Sequence, residues 1–167
     1  MIVKKQKVDL YKEIMGGYPT GVTIITTKDK DNNPVGMTAN SFVSVSIEPL
    51  MISWCIDKGS RRYETFKNVD SFAVNILSGE QKDACNIFAS KQEKDSFSKV
   101  EWGPSSNDLP ILKNVYGALE CKKVQQIDAG DHLILIGEVI DMKKNDIDPM
   151  LYYRRNIGFI PEKWADF

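Results

Sequence analysis

Short apolar runs separated by polar turns occupy most of the chain and predict a protein built mainly of β-strands. In the segment 42–47, Val43, Val45 and Ile47 share one face and serines occupy the other, and this period of two predicts a half-buried strand. The segment 132–142 is apolar on both faces around Gly137. The pattern as a whole predicts about seven or eight strands, which are 22–27, 35–38, 42–47, 50–56, 71–77, 116–124, 132–142 and 151–154.

Three segments favour helices instead. Residues 9–15 end at a glycine pair, residues 61–68 follow Ser60 as an N-cap, and residues 80–90 carry apolar side chains at helical spacing. The polar segment 91–110 predicts a long loop. Strands and helices do not alternate regularly, which argues against a doubly wound parallel sheet. The sequence therefore predicts a mainly β, antiparallel, Greek-key-like barrel with inserted helices.

Composition limits the functional classes. The 167 residues, 42% of them hydrophobic and 27% charged, suit one globular domain over 1–167, and no repeat or linker divides them. A net charge of -1 provides no field for a polyanion, so we expect no nucleic-acid partner. The first fifteen residues are too polar for a signal peptide or a membrane span. We therefore expect a cytoplasmic protein without a membrane partner.

The sequence lacks most familiar catalytic signatures. It contains no GxGxxG, P-loop, GxSxG or HExxH motif. Its three cysteines show no CxxC spacing and it has a single histidine, so we expect no metal site. A Cys121–His132 catalytic pair is disfavoured, because nothing near Cys121 suggests a lowered thiol pKa.

Three separated segments together carry a family resemblance. The first is GMTANSFVSVS at 36–46 followed by Pro49-Leu50. The second is CIDKGS at 55–60 with FAVNIL at 72–77, and the third is Gly130-Asp131-His132 with GEV at 137–139 and PMLYYR at 149–154. In this order they resemble the flavin reductase-like family of FMN-binding split β-barrels, over about residues 17–154. That family includes the reductase components of two-component monooxygenases and the flavoredoxins.

The resemblance implies a flavin site on the first two segments. Thr38, Asn40 and Ser41 lie in a polar turn, and Lys58 and Ser60 lie where a helix is predicted to begin, so hydroxyls, N–H groups and a cation can meet the FMN phosphate. Arg61 and Arg62 are alternatives to Lys58 as that cation. The implied flavin contacts are Thr38, Ala39, Asn40, Ser41, Cys55, Asp57, Lys58, Ser60, Phe88, Ala89, Tyr152 and Arg154. Alternatively, residues 38–41 form only a turn, Ser60 only caps a helix, and Phe88 packs in the core.

The resemblance also implies that His132 lies beside the flavin on the nicotinamide side, where its imidazole can donate a hydrogen bond or handle a proton near neutral pH. Asp131 is the residue that would orient it. A structural, hydrogen-bonded histidine is the alternative. The family pattern has a glycine after Arg154, whereas Arg155 and Asn156 follow here, which weakens the transfer of nicotinamide contacts to this stretch.

The resemblance implies an NAD(P)H:flavin oxidoreductase that uses FMN, with FAD as the alternative, and NADH or NADPH as substrate. Two other functions stay open: a flavoredoxin-like FMN electron carrier with a protein partner, and a flavin-binding protein without redox activity. The resemblance further implies a homodimer and allows a monooxygenase partner. Apolar residues of the tail would cover a second subunit or close the barrel; they are Ile157, Phe159, Ile160, Trp164 and Phe167.

Overall fold

The computed structural model of the chain describes residues 2–93 and 95–164, and it is dominated by antiparallel strands. The α-helices are α1 (Ile2–Gly16), α2 (Tyr63–Asn68) and α3 (Lys82–Ala89), and 3-10 turns span Phe97–Lys99 and Glu162–Trp164. The strands are β1 (Thr20–Gly21), β2 (Thr23–Lys28), β3 (Pro34–Ala39), β4 (Val43–Ile47), β5 (Leu50–Asp57), β6 (Ser71–Ile76), β7 (Trp102–Pro104), β8 (Pro110–Leu112), β9 (Gly117–Ala129), β10 (His132–Lys144), β11 (Leu151–Tyr153) and β12 (Asn156–Gly158).

The main sheet has seven strands in the order β3-β2-β6-β9-β10-β5-β4. Its two edge strands, β3 and β4, are consecutive in the chain. In a flat sheet six strand spacings of about 4.8 Å would separate these edges by roughly 29 Å, whereas the chain from Ala39 to Val43 spans at most about 14 Å. The sheet must therefore curl until its edges approach each other, which makes a barrel with a seam between β3 and β4.

Two apolar clusters hold the elements together. Inside the curled sheet, the fully buried Trp54 meets Phe66 and Phe72 edge to face, with ring centroids 5.0 and 5.8 Å apart. A second cluster lies under α3, where Phe88 meets Phe97 at 5.0 Å. Helix α3 is thereby fixed over β2 and β3, which places its exposed face beside the seam.

The predicted fold class is confirmed, and each predicted strand and helix has a counterpart. The long loop predicted over 91–110 is wrong in part, because Phe97 and Leu109 are buried and β7 pairs with β8 across this segment. Ser60 as N-cap is also wrong. Helix α2 begins at Tyr63, and the Ser60 hydroxyl instead accepts a hydrogen bond from the Arg62 backbone N–H at 3.3 Å in the preceding turn.

The prediction that β4 is half-buried is wrong. Its apolar face is exposed, with 55% of Val43, 53% of Val45 and 87% of Ile47 accessible. The physical reason is topological: β4 is an edge strand that pairs only with β5 in the described sheet. Alternation predicts a strand with one apolar face, but it does not say what covers that face.

The two ends of the chain also differ from expectation. Helix α1 begins well before the predicted start, and Tyr11 and Ile14 on it are more than 60% exposed. In the tail, Ile157 packs against the second core cluster, whereas Phe159 and Trp164 are exposed. Phe167 lies outside the described residues.

Candidate functional site

Backbone and side-chain hydrogen bonds join the three segments singled out in the sequence. The Ser41 hydroxyl accepts a bond from the Cys55 N–H at 3.0 Å and donates one to the Cys55 carbonyl at 3.1 Å. Because β5 and β10 are antiparallel neighbours, His132 lies opposite Asp57. The polar turn after β3, the end of β5 and the start of β10 thus form one continuous surface at an end of the barrel.

A groove of about 520 Å³ opens beside the seam. Its volume falls within the range of about 300–1,000 Å³ that is usual for small-molecule sites. The Thr38 hydroxyl in its wall donates to the Cys85 carbonyl at 2.7 Å, which ties β3 to α3. The groove brings together five predicted flavin contacts, which are Thr38, Ala39, Asn40, Ala89 and Tyr152.

Lys58 is tied to the turn between β9 and β10. Its ammonium lies 2.7 Å from an Asp128 carboxylate oxygen and donates to the Gly130 carbonyl at 3.0 Å, while its backbone N–H donates to the Asp131 carbonyl at 2.9 Å. The hydrogen bond with Asp128 raises the pKa of Lys58 and lowers the pKa of Asp128. Three contacts from one residue therefore brace the turn that carries His132.

Asp131 and His132 form a side-chain pair, with 2.7 Å between His132 Nδ1 and Asp131 Oδ1. The hydrogen bond from His132 holds the pKa of Asp131 below its usual range, so the carboxylate is ionised at neutral pH and can fix the imidazole orientation. Cys121 is fully buried and lies opposite Val139 in the ladder, far along β10 from His132. The structure therefore excludes a Cys121–His132 pair.

Other predicted site residues lie outside the groove. Phe88 is 1% exposed and packs in the core. Arg154 lines a separate cavity of about 890 Å³ beside α1, and its guanidinium lies 5.2 Å from the centre of the Tyr153 ring. Asp57 accepts the Gly59 N–H at 2.7 Å and shapes the loop before α2. Burial raises the pKa of the Cys55 thiol, which keeps it neutral.

The groove also contains residues that the sequence did not single out. Lys82, Cys85 and Asn86 line it along α3, and Arg155 and Asn156 line it from the hairpin of β11 and β12. The spacing of the α3 residues is a helical face, so the periodicity of 80–90 could have indicated them. For Arg155 no sequence signal existed, because its position follows from a turn in which both it and Arg154 adopt positive φ.

Two negative findings concern the described residues alone. No helix among them is long and apolar enough to span a membrane. Within 2–93 and 95–164, no three His, Cys, Asp or Glu side chains are grouped so that they could hold a metal ion.

Comparison with known proteins places this geometry in context. The family model described as "Flavin reductase like domain" matches residues 15–161. The reductase component of a flavin-dependent trigonelline monooxygenase from Acinetobacter baylyi is 40% identical over 94% of this chain and 50% of its own length. The FMN reductase (NADH) SmoA of Agrobacterium fabrum is 32% identical over 85% of this chain and 80% of its own.

Among solved structures, the NADH:FAD oxidoreductase SgcE6 of Streptomyces globisporus, in complex with NAD and FAD fragments, superposes with a TM-score of 0.88. It is 31% identical and covers 96% of this chain and 96% of its own. The chain spans about half the length of the first curated relatives it matches.

Proposed function

The chain belongs to the flavin reductase-like family, and we propose that it is an NAD(P)H-dependent flavin reductase that binds FMN in the groove beside the seam. The observation that carries the proposal is the meeting of the three motif segments on one surface through the Ser41–Cys55 bonds and the His132–Asp57 register. Relatives named as an FMN reductase (NADH) and an NADH:FAD oxidoreductase support it.

The residues present fit a flavin. The groove offers a half-buried aromatic side chain from Tyr152, the amide of Asn40 and the ammonium of Lys82. An amide can hydrogen-bond the polar edge of a heterocycle, and an aromatic side chain can contact its face. A cation can pair with the phosphate of FMN. When bound, FMN supplies the hydride-accepting chemistry, and the protein supplies orientation and electrostatics.

The proposed roles of Asp131 and His132 follow from the turn between β9 and β10, which Lys58 holds in place. Asp131 fixes the imidazole of His132 through Nδ1, which leaves Nε2 without a protein partner among the described residues. His132 is partly exposed at the edge of this surface. We assign it the hydrogen bond that positions the nicotinamide or the flavin edge, and we assign Asp131 the role of positioning residue.

An anaerobic visible spectrum of the FMN-reconstituted protein tests the proposal. Addition of NADH or NADPH should bleach the oxidised flavin band faster than it bleaches free FMN under the same conditions. Bound FMN that stays oxidised with both nucleotides and bleaches with dithionite would contradict the reductase assignment and favour a flavoredoxin-like electron carrier. His132→Ala should slow bleaching more than it weakens FMN binding.

The reduced flavin is proposed to serve a monooxygenase partner, since several relatives are named as reductase components of such systems. A reductase of this kind must let flavin exchange with solvent. We therefore expect added FMN to saturate the activity as a second substrate. Activity independent of added FMN would argue for a flavin that is retained.

We also propose that the protein is a homodimer built on β4. Val43, Val45 and Ile47 form a contiguous exposed apolar strip on an edge strand, which is a typical liability unless a partner covers it. The default closed assembly is two-fold. Light scattering should give twice the monomer mass, and Ile47→Glu should shift it toward the monomer, whereas Lys30→Glu in the turn between β2 and β3 should not.

A further inference from the structure

The cavity beside α1 and the groove beside the seam meet at Arg155. Among the described residues that line the two spaces, Arg155 is the one they share. The cavity has a volume of about 890 Å³ and the groove about 520 Å³, and each lies within the usual range of about 300–1,000 Å³ for a small-molecule site. Two adjoining spaces of this size suit a ligand that consists of two linked halves.

The backbone at Arg155 is held in a conformation that disfavours arginine. Arg154 and Arg155 form the two-residue loop of the β11–β12 hairpin, because Tyr153 pairs with Asn156. Their φ angles are 49° and 64°, and a type I′ turn with positive φ at both positions normally carries Asn-Gly, since other side chains crowd the backbone there. Strained residues of this kind cluster at ligand sites. The outlier therefore points to a function of the arginine side chain.

The hairpin turn is tied to α1, but the Arg155 side chain is not tied to the protein. The Arg154 backbone N–H donates to the Gly16 carbonyl at 2.8 Å. The Arg155 guanidinium is exposed, and with the described residues it makes neither a hydrogen bond nor an ion pair. A guanidinium without a partner can contact two phosphate oxygens at once. Arg155 thus offers an anion contact at the junction of the two spaces.

The rest of the cavity lining matches the parts of an adenosine. Asp9, Lys12 and Glu13 line it at a spacing of three and four residues, so they present one polar face of α1. Carboxylates accept hydrogen bonds from ribose hydroxyls. Tyr18 also lines the cavity and is 64% exposed, so its ring is accessible for stacking on a base.

The proposed reaction gives this second space a use. It brings two nucleotides together, whereas the groove has the usual size for one small molecule. A dinucleotide whose reactive ring lies in the groove must place its adenosine elsewhere. The cavity that shares Arg155 with the groove is the adjoining space that can receive it.

We propose that the cavity beside α1 is a subsite for the adenosine diphosphate moiety of a dinucleotide, with Arg155 on the diphosphate and Tyr18 on the adenine. The inference rests on the proposed function, because the other half of the ligand reacts in the groove. NADH, NADPH and FAD share this moiety, and FMN lacks it. Arg155 is thereby the residue that favours dinucleotides over FMN.

The first test removes the Arg155 charge in two ways. Calorimetry at low ionic strength would measure the binding of ADP, NAD⁺, FAD and FMN to the wild type, Arg155→Gln, Arg155→Gly and Arg155→Lys. Loss of the charged hydrogen bonds should weaken ADP binding by about 10- to 100-fold in the Gln and Gly variants and leave FMN binding unchanged. Arg155→Lys should recover part of the loss, because lysine keeps the charge without the fork. Lys122→Gln, outside both spaces, controls for net charge.

Arg155→Gly also separates binding from the structure of the turn. Glycine adopts positive φ without strain, so this variant should be at least as stable as Arg155→Gln in thermal unfolding. A merely structural Arg155 would give that gain in Tm with unchanged ADP affinity, and this result would overturn the inference.

Two tyrosines provide a matched pair for the adenine contact. Tyr11 and Tyr18 are each 64% exposed, and of the two only Tyr18 lines the cavity. Tyr18→Leu should weaken ADP binding by roughly 5- to 100-fold through the lost stacking, whereas Tyr11→Leu should not. An equal effect of the two substitutions would contradict the placement of the adenine.

The ligands identify which dinucleotide uses the cavity. A loss for ADP and NAD⁺ in Arg155→Gln, with FAD unchanged, assigns the nicotinamide dinucleotide. A loss for ADP and FAD, with NAD⁺ unchanged, assigns the flavin dinucleotide, and a loss for all three assigns the moiety in both. An equal loss for FMN would place Arg155 on the flavin phosphate and overturn the inference. ADP carries no redox group, so its binding stands or fails independently of the reductase activity.

Discussion

The close approach of Gly36 to Phe88 gives a sharp test of how α3 is held over the seam. A Cβ added at Gly36 would lie 2.6 Å from Phe88 Cε1 and 2.8 Å from its Cδ1. Ordinary contact begins near 3.4 Å, so the ring would have to retreat by about 0.8 Å. It has little room to do so, because Phe88 is 1% exposed and packs edge to face on Phe97.

We expect Gly36→Ala to destabilise the protein. Overpacking of a filled core costs about 1–3 kcal/mol, and the loss of glycine's freedom in the unfolded chain offsets about 0.4–1 kcal/mol of that. The midpoints of these ranges leave a net loss of about 1.3 kcal/mol, which should lower Tm by roughly 3–5 °C in a chain of this size. Urea and thermal unfolding followed by circular dichroism, at one protein concentration, would measure it.

The chain offers a matched control and a rescue. Gly103 also lies in a strand, but a Cβ there would meet no atom within 4 Å, so Gly103→Ala should change stability by no more than about 0.5 kcal/mol. In Phe88→Leu the clashing ring atoms are gone, so adding Gly36→Ala should cost little more. If Gly36→Ala is as stable as the wild type, or if its cost is simply additive with that of Phe88→Leu, the steric explanation is refuted.

Three further predictions concern other parts of the barrel. Gly137→Ala should destabilise more than Gly36→Ala in the same urea assay, because its Cβ would meet Cys121 Cβ at 2.8 Å, and an atom so near the backbone cannot swing away. Burial raises the pKa of the Cys121 thiol to about 12, so iodoacetamide at pH 8 should label it only after unfolding, as mass spectrometry would show. Lys58→Met should loosen the turn that carries His132 and slow flavin reduction by NADH in stopped flow. A greater loss of FMN affinity than of rate would instead favour a phosphate contact for Lys58.

Much of the fold was accessible from the sequence because strand signals are local. The β-branched run at 22–27 and the apolar run at 35–38 predict two strands, and β2 and β3 lie at these positions as an antiparallel pair. The start of α2 was less accessible. Ser60 and the polar residues after it are compatible with a helix that begins at any of several positions. The true first residue depends on which backbone N–H donates to the serine hydroxyl in the folded chain.

The candidate site was accessible only in part, because its groove depends on long-range contacts. The Thr38–Cys85 bond joins residues 47 apart in sequence, and no period within either segment indicates it. The positions of Arg154 and Arg155 were equally inaccessible, because both residues adopt positive φ in the turn after β11. Arg154 lines the cavity beside α1, and Arg155 lines both that cavity and the groove. The family resemblance identified the segments, but the placement of individual side chains needed the structure.

The topology links the two main proposals. Strands β3 and β4 are both edges of the curled sheet, and only residues 40–42 separate them. The turn that contributes Asn40 to the groove therefore leads directly into the exposed strip that begins at Val43. A second subunit that covers β4 must lie next to the flavin groove and will restrict the turn between them. Dimer formation and FMN binding should for this reason stabilise each other, since each orders residues that the other contacts.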